Sequence, residues 1–314
     1  MGCRLVSGLS YVTHGPIARQ IMIENEEGGL TDRKFYPADE EAEFAETKVP
    51  STPQTRHPAY KLAFSDTDFL LRPELRPVRF QLELLKPEML LEEAGVGSTL
   101  VMYGSARIPH PGAVEDALKG AKDLPESERV VAERLAAKAH HYDEAYKLAR
   151  MVSEKGIIER GQRQFVICSG GGPSIMEAAN KGASDAGAES IGLNIVLPHE
   201  QAPNPYVTPY LSFQFHYFAL RKMHFLLRAK AVAVFPGGFG TFDEFFELLT
   251  LIQTGKLKPI PILLFGKEFW TRVIDWDAIA EEGVISKADL DLFRWCETAE
   301  EAWGHIAAFY GIED

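Results

Sequence analysis

The sequence predicts an α/β fold: a doubly wound parallel sheet with helices on both faces, preceded by an irregular N-terminal extension. Three observations predict it. From residue 99 onward, apolar runs of five or six residues alternate with amphipathic helical stretches, the signature of parallel strands joined by crossover helices. Three of those runs end in glycine turns, which in a parallel sheet all lie on the carboxyl edge. A chain of 314 residues with 46% hydrophobic content is long enough to bury a sizeable core.

The extension is read as residues 1–97. Residues 24–48 hold nine acids against three bases, and prolines follow at 50, 53 and 58, so the stretch reads as a solvated arm anchored by Phe35, Tyr36, Phe64 and Phe69. Val78–Glu93 has helical apolar spacing, with Pro87 expected to break or kink it. The second domain, 98–314, opens on the strand Thr99–Tyr103. Residues 107–126 read as a proline- and glycine-rich loop on the carboxyl edge. A single helix over 128–155 is stopped by Gly156. Strands follow at 164–168, 190–194, 231–235 and 260–265, with helices at 174–186, 216–229, 241–254, 267–281 and 298–310.

A net charge of −12 argues against general nucleic-acid binding. Cys3, Cys168 and Cys296 have no metal or disulfide spacing and point to a reducing cytoplasm. The opening MGCRLVSGLS lacks the layout of a leader peptide, and no apolar run approaches the ~18 residues of a membrane helix.

The chemistry concentrates at the three turns: Gly104-Ser105-Ala106-Arg107, Ser169-Gly170-Gly171-Gly172-Pro173-Ser174 and Pro236-Gly237-Gly238-Phe239-Gly240-Thr241. Glycines and helix N-termini on one edge suit a nucleotide-sized anion; the alternative is tight corners and nothing more. No P-loop is present, and the third glycine of a dinucleotide fingerprint is missing. Arg221 lies about nine residues before its helix end, so about 13 Å back along the axis, level with the third turn. There it grips a phosphate, holds a catalytic carboxylate, or forms a solvated pair with Lys222. Thr241-x-x-Glu244 fits a capping box, with Thr241 as N-cap, and local sequence favours that role for Glu244 over a catalytic one. The helix end favours an ionised Glu244, suited to a base or electrostatic partner rather than an acid. His199, His216 and His224 read as ordinary helix or loop histidines.

PGGFGTFDE at 236–244 resembles the P-G-G-x-G-T-x-x-E signature of the LOG (LONELY GUY) family, nucleoside 5′-monophosphate phosphoribohydrolases formerly labelled possible lysine decarboxylases. YGSAR at 103–107, SGGGPSIMEAANKGA at 169–183 and the pair Arg221-Lys222 match as well. The resemblance spans roughly residues 98–266. It implies a Rossmann-like catalytic domain, homodimeric or larger, that cleaves an AMP-like or cytokinin riboside monophosphate to free base and ribose 5-phosphate. It assigns catalysis to Arg221 and Glu244. Gly237, Gly238, Phe239, Gly240 and Thr241 would cradle the phosphate, while Ser105, Gly171, Met176 and Glu177 would line the pocket. Gly104, Gly172, Lys222, Pro236 and Asp243 complete the substrate-binding set. No cofactor and no metal are expected; the partner is a small nucleotide, with neither nucleic acid nor membrane. The alternatives are a carrier that binds a nucleotide without hydrolysing it, an acidic scaffold working through its arm, and a decarboxylase, for which no glycine turn presents a pyridoxal lysine.

Overall fold

The chain divides into two units, 1–75 and 76–314. The computed structural model describes residues 36–198 and 202–313; Cys3, Phe35, His199 and the start of the acid-rich stretch lie outside the described residues. Within the first unit, the described part of the acid-rich segment forms a helix, α1 (Ala38–Thr47), rather than an irregular arm. Its first turn carries Asp39, Glu40 and Glu41, which complement the positive end of the helix. A single helical turn, α2 (Thr67–Leu70), is capped by Asp66. No residue from 36 to 75 is buried. Tyr36, Phe64 and Phe69, expected as anchors, are exposed.

The second unit begins with α3 (Arg76–Glu93), which the sequence had grouped with the extension. It continues through Pro87 as one helix, so the expected break is not there. Proline removes the N–H that would bond the carbonyl four residues back, here Glu83. The fold supplies a substitute: His224 Nε2 donates to Glu83 O at 3.1 Å. A carbonyl can only accept, so Nε2 carries a proton; burial pushes the His224 pKa down, against the pull of the Glu88 carboxylate 3.6 Å from Nδ1. Phe80 stacks on Tyr217 at 4.1 Å, and the Glu83 carboxylate accepts from His216 and Tyr217 N–H. These contacts are why α3 travels with the sheet.

Seven strands form one sheet in the order β6-β5-β4-β1-β7-β8-β9, every neighbour parallel. They are β1 (Thr99–Tyr103), β4 (Val166–Ser169), β5 (Ser190–Ile195), β6 (Ser212–Phe215), β7 (Ala229–Val234), β8 (Ile262–Phe265) and β9 (Arg294–Cys296); β2 (Ile158–Glu159) and β3 (Gln162–Arg163) make a separate ribbon. Side chains alternate between two cores. Val101 and Tyr103 join Phe225, Phe245 and Trp270 on one face, whereas Leu100 and Met102 join Leu148, Ala178 and Trp303 on the other. The edge strands β6 and β9 and the ribbon were not anticipated; β6 reads Ser-Phe-Gln-Phe, without the unbroken apolar run that marks the inner strands, and β9 and the ribbon strands have only three and two residues.

Three helical segments also differ from expectation. The stretch 107–126 is not a plain loop: it contains α4 (Val114–Ala121). The helix expected at 128–155 is two, α5 (Glu126–Ala136) and α6 (His140–Lys155), separated by a turn that neither glycine nor proline marks; Gly156 ends α6 with φ +54°. The helix expected at 267–281 is likewise split into α10 (Lys267–Val273) and α11 (Trp276–Glu281), the second capped by Asp275. The remaining helices, α7 (Ile175–Asp185), α8 (Phe218–Leu227), α9 (Phe239–Gln253) and α12 (Ala299–Tyr310), fall where the sequence placed them, within two residues at most boundaries.

His224→Ala should therefore destabilise the protein by about 1–3 kcal/mol, the cost of an orphaned carbonyl. Pro87→Ala restores an N–H to Glu83 and should recover part of that loss. Urea denaturation of both single variants and the double variant checks this; strict additivity would contradict it.

Candidate active site

The chain winds from β1 to one side of the sheet and returns beside β1 as β7 before winding to the other side. The switch point therefore lies between β1 and β7, where open α/β sheets form their crevice. A cavity of about 610 Å³ opens there, lined by Gly104–Arg107, Met176, Arg221, Gly238–Phe242 and Glu244.

Backbone bonds tie the three turns together. Ser105 N donates to Pro236 O at 3.1 Å, and Ile175 N donates to Ser105 O at 3.4 Å. The second turn is fixed from below by buried amides. Ser169 Oγ donates to Asn180 Oδ1, and Asn204 Nδ2 donates to Gly172 O and Asn180 Oδ1. Ser174 holds a positive φ of 65° and donates its hydroxyl to Ile108 O at 2.5 Å, an uncommon backbone state that its neighbours must hold in place.

The third turn corrects the expected cap. Gly238 is the N-cap and α9 starts at Phe239, so Thr241 is its third residue and Glu244 its sixth. The capping box is not formed. Thr241 is buried beneath Gly237, where a Cβ would come within 2.1 Å of the Thr241 hydroxyl; position 237 therefore has to be glycine. The first bond of the helix runs from Phe242 N to Gly238 O, leaving the N–H groups of Phe239, Gly240 and Thr241 without intrahelical partners. Their residues line the cavity, and unpaired N–H groups at a helix start suit an anion.

Released from capping, Glu244 meets Arg221. Arg221 Nη1 donates to Glu244 Oε1 at 3.3 Å and Nε donates to Leu193 O at 2.7 Å. Its guanidinium lies 5.1 Å from the Phe225 ring centroid. The two side chains are only 12% and 13% exposed, which removes the solvated reading of Arg221. A Cβ at Gly170 would stand 2.6 Å from Arg221 Nη2, so this glycine makes room for the guanidinium. Burial pushes the Glu244 carboxyl up to about 7; the Arg221 charge pulls the other way and Asp243 adds to the rise. This corrects the expectation that the helix end favours the ionised form. Glu244 sits in the second turn of α9, beyond the reach of the helix end, and desolvation dominates.

The cavity brings together Gly104, Ser105, Met176, Arg221, Gly238, Phe239, Gly240, Thr241 and Glu244. Phe239 stands at the rim, 95% exposed. The other expected residues are not among its lining. Lys222 pairs with Asp243 at 2.9 Å and Glu247 at 3.0 Å. Glu177 accepts from the Tyr142 hydroxyl at 3.4 Å. Gly171 faces Asn194, which lines a separate cavity of about 500 Å³. Gly172 abuts Met176, and Pro236 and Gly237 lie behind the turn as its support. Sequence reasoning missed Arg107, whose position in YGSAR at the end of a strand was the available signal; it lines the cavity together with Ala106 and Phe242. Among the described residues no cluster of three or more His, Cys, Asp or Glu is placed to hold a metal ion, and no helix is long and apolar enough to cross a membrane.

These features define a doubly wound α/β protein with a glycine-lined cavity at its switch point and a largely buried arginine–glutamate pair beside it. Residues 176–306 match the family model described as "Possible lysine decarboxylase". The chain is 25% identical over 152 residues to the cytokinin riboside 5′-monophosphate phosphoribohydrolase LOG2 of Arabidopsis thaliana, covering 48% of this chain and 67% of that one. It is 30% identical over 152 residues to the pyrimidine/purine nucleotide 5′-monophosphate nucleosidase of Escherichia coli K12, covering 45% of this chain but only 31% of that longer protein. Among solved structures, the molybdenum cofactor carrier protein of Chlamydomonas reinhardtii aligns over 68% of this chain and 96% of its own, with 18% identity and a TM-score of 0.38. The family-model match and the curated relatives bear out the kinship with the LOG family that the motifs carry.

Because the fold raises the Glu244 pKa from 4.5 to about 7, folding opposes its ionisation. Below pH 4.5 both states are protonated and nothing is lost; as pH rises from 4.5 to about 7 the folded protein loses stability relative to a Glu244→Gln variant, and above that the loss is complete. The difference should reach on the order of 3 kcal/mol. Urea midpoints of the two proteins between pH 4 and pH 8.5 check this, and a pH-independent difference would contradict the shift.

Proposed function

We propose that this protein hydrolyses the N-glycosidic bond of a nucleoside 5′-monophosphate, AMP-like or a cytokinin riboside monophosphate, giving free base and ribose 5-phosphate. The observation that carries the reading is that Glu244 leaves the helix cap and pairs with Arg221 at 3.3 Å, in the same cavity as the free N–H groups of α9. The kinship reported above supports it, since both curated relatives are named as enzymes acting on 5′-monophosphates.

In this reading the phosphate rests on the N–H groups of Phe239–Thr241, with the guanidinium of Arg107 closing on it from the opposite lip. The ribose lies across the carboxyl edge toward Glu244. Breaking the C1′–N bond leaves positive charge on the sugar, as in glycoside hydrolysis. Ionised Glu244 stabilises that charge and takes a proton from the attacking water; water oxygen bonds to C1′, and the leaving nitrogen keeps the bonding electrons and gains a proton. A group with a pKa near 7 is suited to accept and return that proton. Arg221 is too basic to give one up. It holds the Glu244 carboxyl in place and adds positive charge beside the phosphate. The reading is completed by a homodimer or larger assembly in the cytoplasm.

The test is a panel of nucleoside 5′-monophosphates, with free base and ribose 5-phosphate both quantified and unphosphorylated nucleosides as controls. Equal release from monophosphates alone is expected; tight binding with no base released would favour a carrier. Glu244→Gln and Arg221→Ala should each lower kcat by about 10²-fold or more while the fold persists. For the wild type, kcat/KM should rise with pH through about 7, the ionisation set by burial of Glu244, and Glu244→Gln should lack that limb. Arg107→Ala should raise KM about tenfold with kcat nearly unchanged, the loss of one charged phosphate contact.

A further inference from the structure

The resemblance places Lys222 and Asp243 on the substrate, yet neither lines the cavity. Consecutive residues of a helix point about 100° apart. On α8 it is Arg221 that turns to the cavity, and on α9 it is Glu244. The two helices therefore meet in two rungs. Arg221 pairs with Glu244 at the cavity wall, and Lys222 pairs with Asp243 at 2.9 Å behind it.

Lys222 also reaches a second acid. Its ammonium lies 3.0 Å from Glu247, one turn along α9 from Asp243. The lysine side chain is 17% exposed, against 57% for Asp243. A cation drawn this far out of water needs its carboxylates. Burial pulls the Lys222 pKa down, and Asp243 and Glu247 outweigh burial and hold it above the usual lysine value. The acids gain as well. Asp243, Glu244 and Glu247 crowd into one stretch of α9, and like charges three or four residues apart on a helix repel. Arg221 answers Glu244, and Lys222 answers the other two. Without Lys222, two flanking negative charges act on Glu244 unopposed.

We propose that Lys222 is a positioning residue for Glu244: it clamps Asp243 and Glu247 against α8 and screens Glu244 from both, so that this carboxyl is able to ionise beside the cavity. The role assumes the hydrolysis proposed above; the clamp itself does not. Groups on other elements do not supply the screening. Tyr103 on β1 and Cys168 on β4 face the pair, but burial pushes both pKa values up and they stay neutral. Arg107 lines the same cavity and in that reading is taken by the phosphate. Burial lifts the Glu244 pKa to about 7 against the pull of Arg221; Asp243 and Glu247 add to the rise, and Lys222 opposes it.

The test reads Glu244 directly. In the full chain labelled with carbon-13 at the glutamate side-chain carboxyls, the Glu244 signal is the one missing from Glu244→Gln, and NMR follows its titration. The wild-type midpoint should lie near 7. Lys222→Met should raise it by about half a unit, and Asp243→Asn should lower it by about half a unit. The double variant restores the flanking charge and should return close to wild type, and Lys222→Arg should stay there. The kcat/KM limb should follow each midpoint: at pH 6 Lys222→Met should be about threefold slower than wild type and Asp243→Asn about threefold faster. Midpoints that stay put in both single variants would overturn the proposal. So would midpoints that move the same way in both, the pattern of a merely structural disturbance. Where Lys222→Met does not fold, Lys222→Gln, which keeps a hydrogen-bond donor and loses the charge, carries the upward arm. The titration needs no substrate, so midpoints that shift as expected in a protein that cleaves no monophosphate sink the hydrolysis and leave the clamp standing.

Discussion

The largely buried guanidinium of Arg221 is the constraint around which the carboxyl edge is built. A charge 12% exposed has to be paired and hydrogen-bonded. The carbonyl of Leu193 at the end of β5, the carboxylate of Glu244 on α9 and the ring of Phe225 meet that need. Each comes from a different element, so one side chain fixes the heights of β5, α8 and α9 relative to one another. Gly170 yields the space, which gives the second glycine turn a role beyond chain reversal. Removing Glu244 would leave a cation without its counter-charge, and removing Arg221 would leave a carboxylate whose ionisation burial already opposes.

The same pair explains how an acidic side chain sits so close to a helix start with unpaired N–H groups. The donors of Phe239–Thr241 occupy the first turn of α9, whereas Glu244 lies in the second. Its charge is opposed by desolvation and balanced by Arg221 rather than set by the helix end. A carboxyl poised near neutrality beside a fixed cation is an arrangement that costs stability, and such costs are characteristic of sites selected for chemistry.

Much of this was legible in the sequence, for identifiable reasons. The strands that line the site are buried on both faces and so read as unbroken apolar runs, and their glycine turns stand out. The level of Arg221 followed from the lengths of a helix and a strand. What failed were features settled by partners distant in sequence. Pro87 reads as a helix breaker until His224 is seen to take the carbonyl it frees. Thr241-x-x-Glu244 has the letters of a capping box, but Gly237 lets Thr241 fold inward and the helix begins two residues early. The turn between α5 and α6 has no glycine or proline to announce it. Asn180 and Asn204 look unremarkable in the sequence, yet together they fix the second turn.

The account rests on one cavity holding both ends of a ribose 5-phosphate. The most direct measurement is a crystal structure of the Glu244→Gln protein with a nucleoside 5′-monophosphate bound. The account predicts phosphate oxygens within hydrogen-bond distance of the N–H groups of Phe239, Gly240 and Thr241, with C1′ turned toward residue 244. A phosphate held elsewhere, or a C1′ facing away from residue 244, would contradict it.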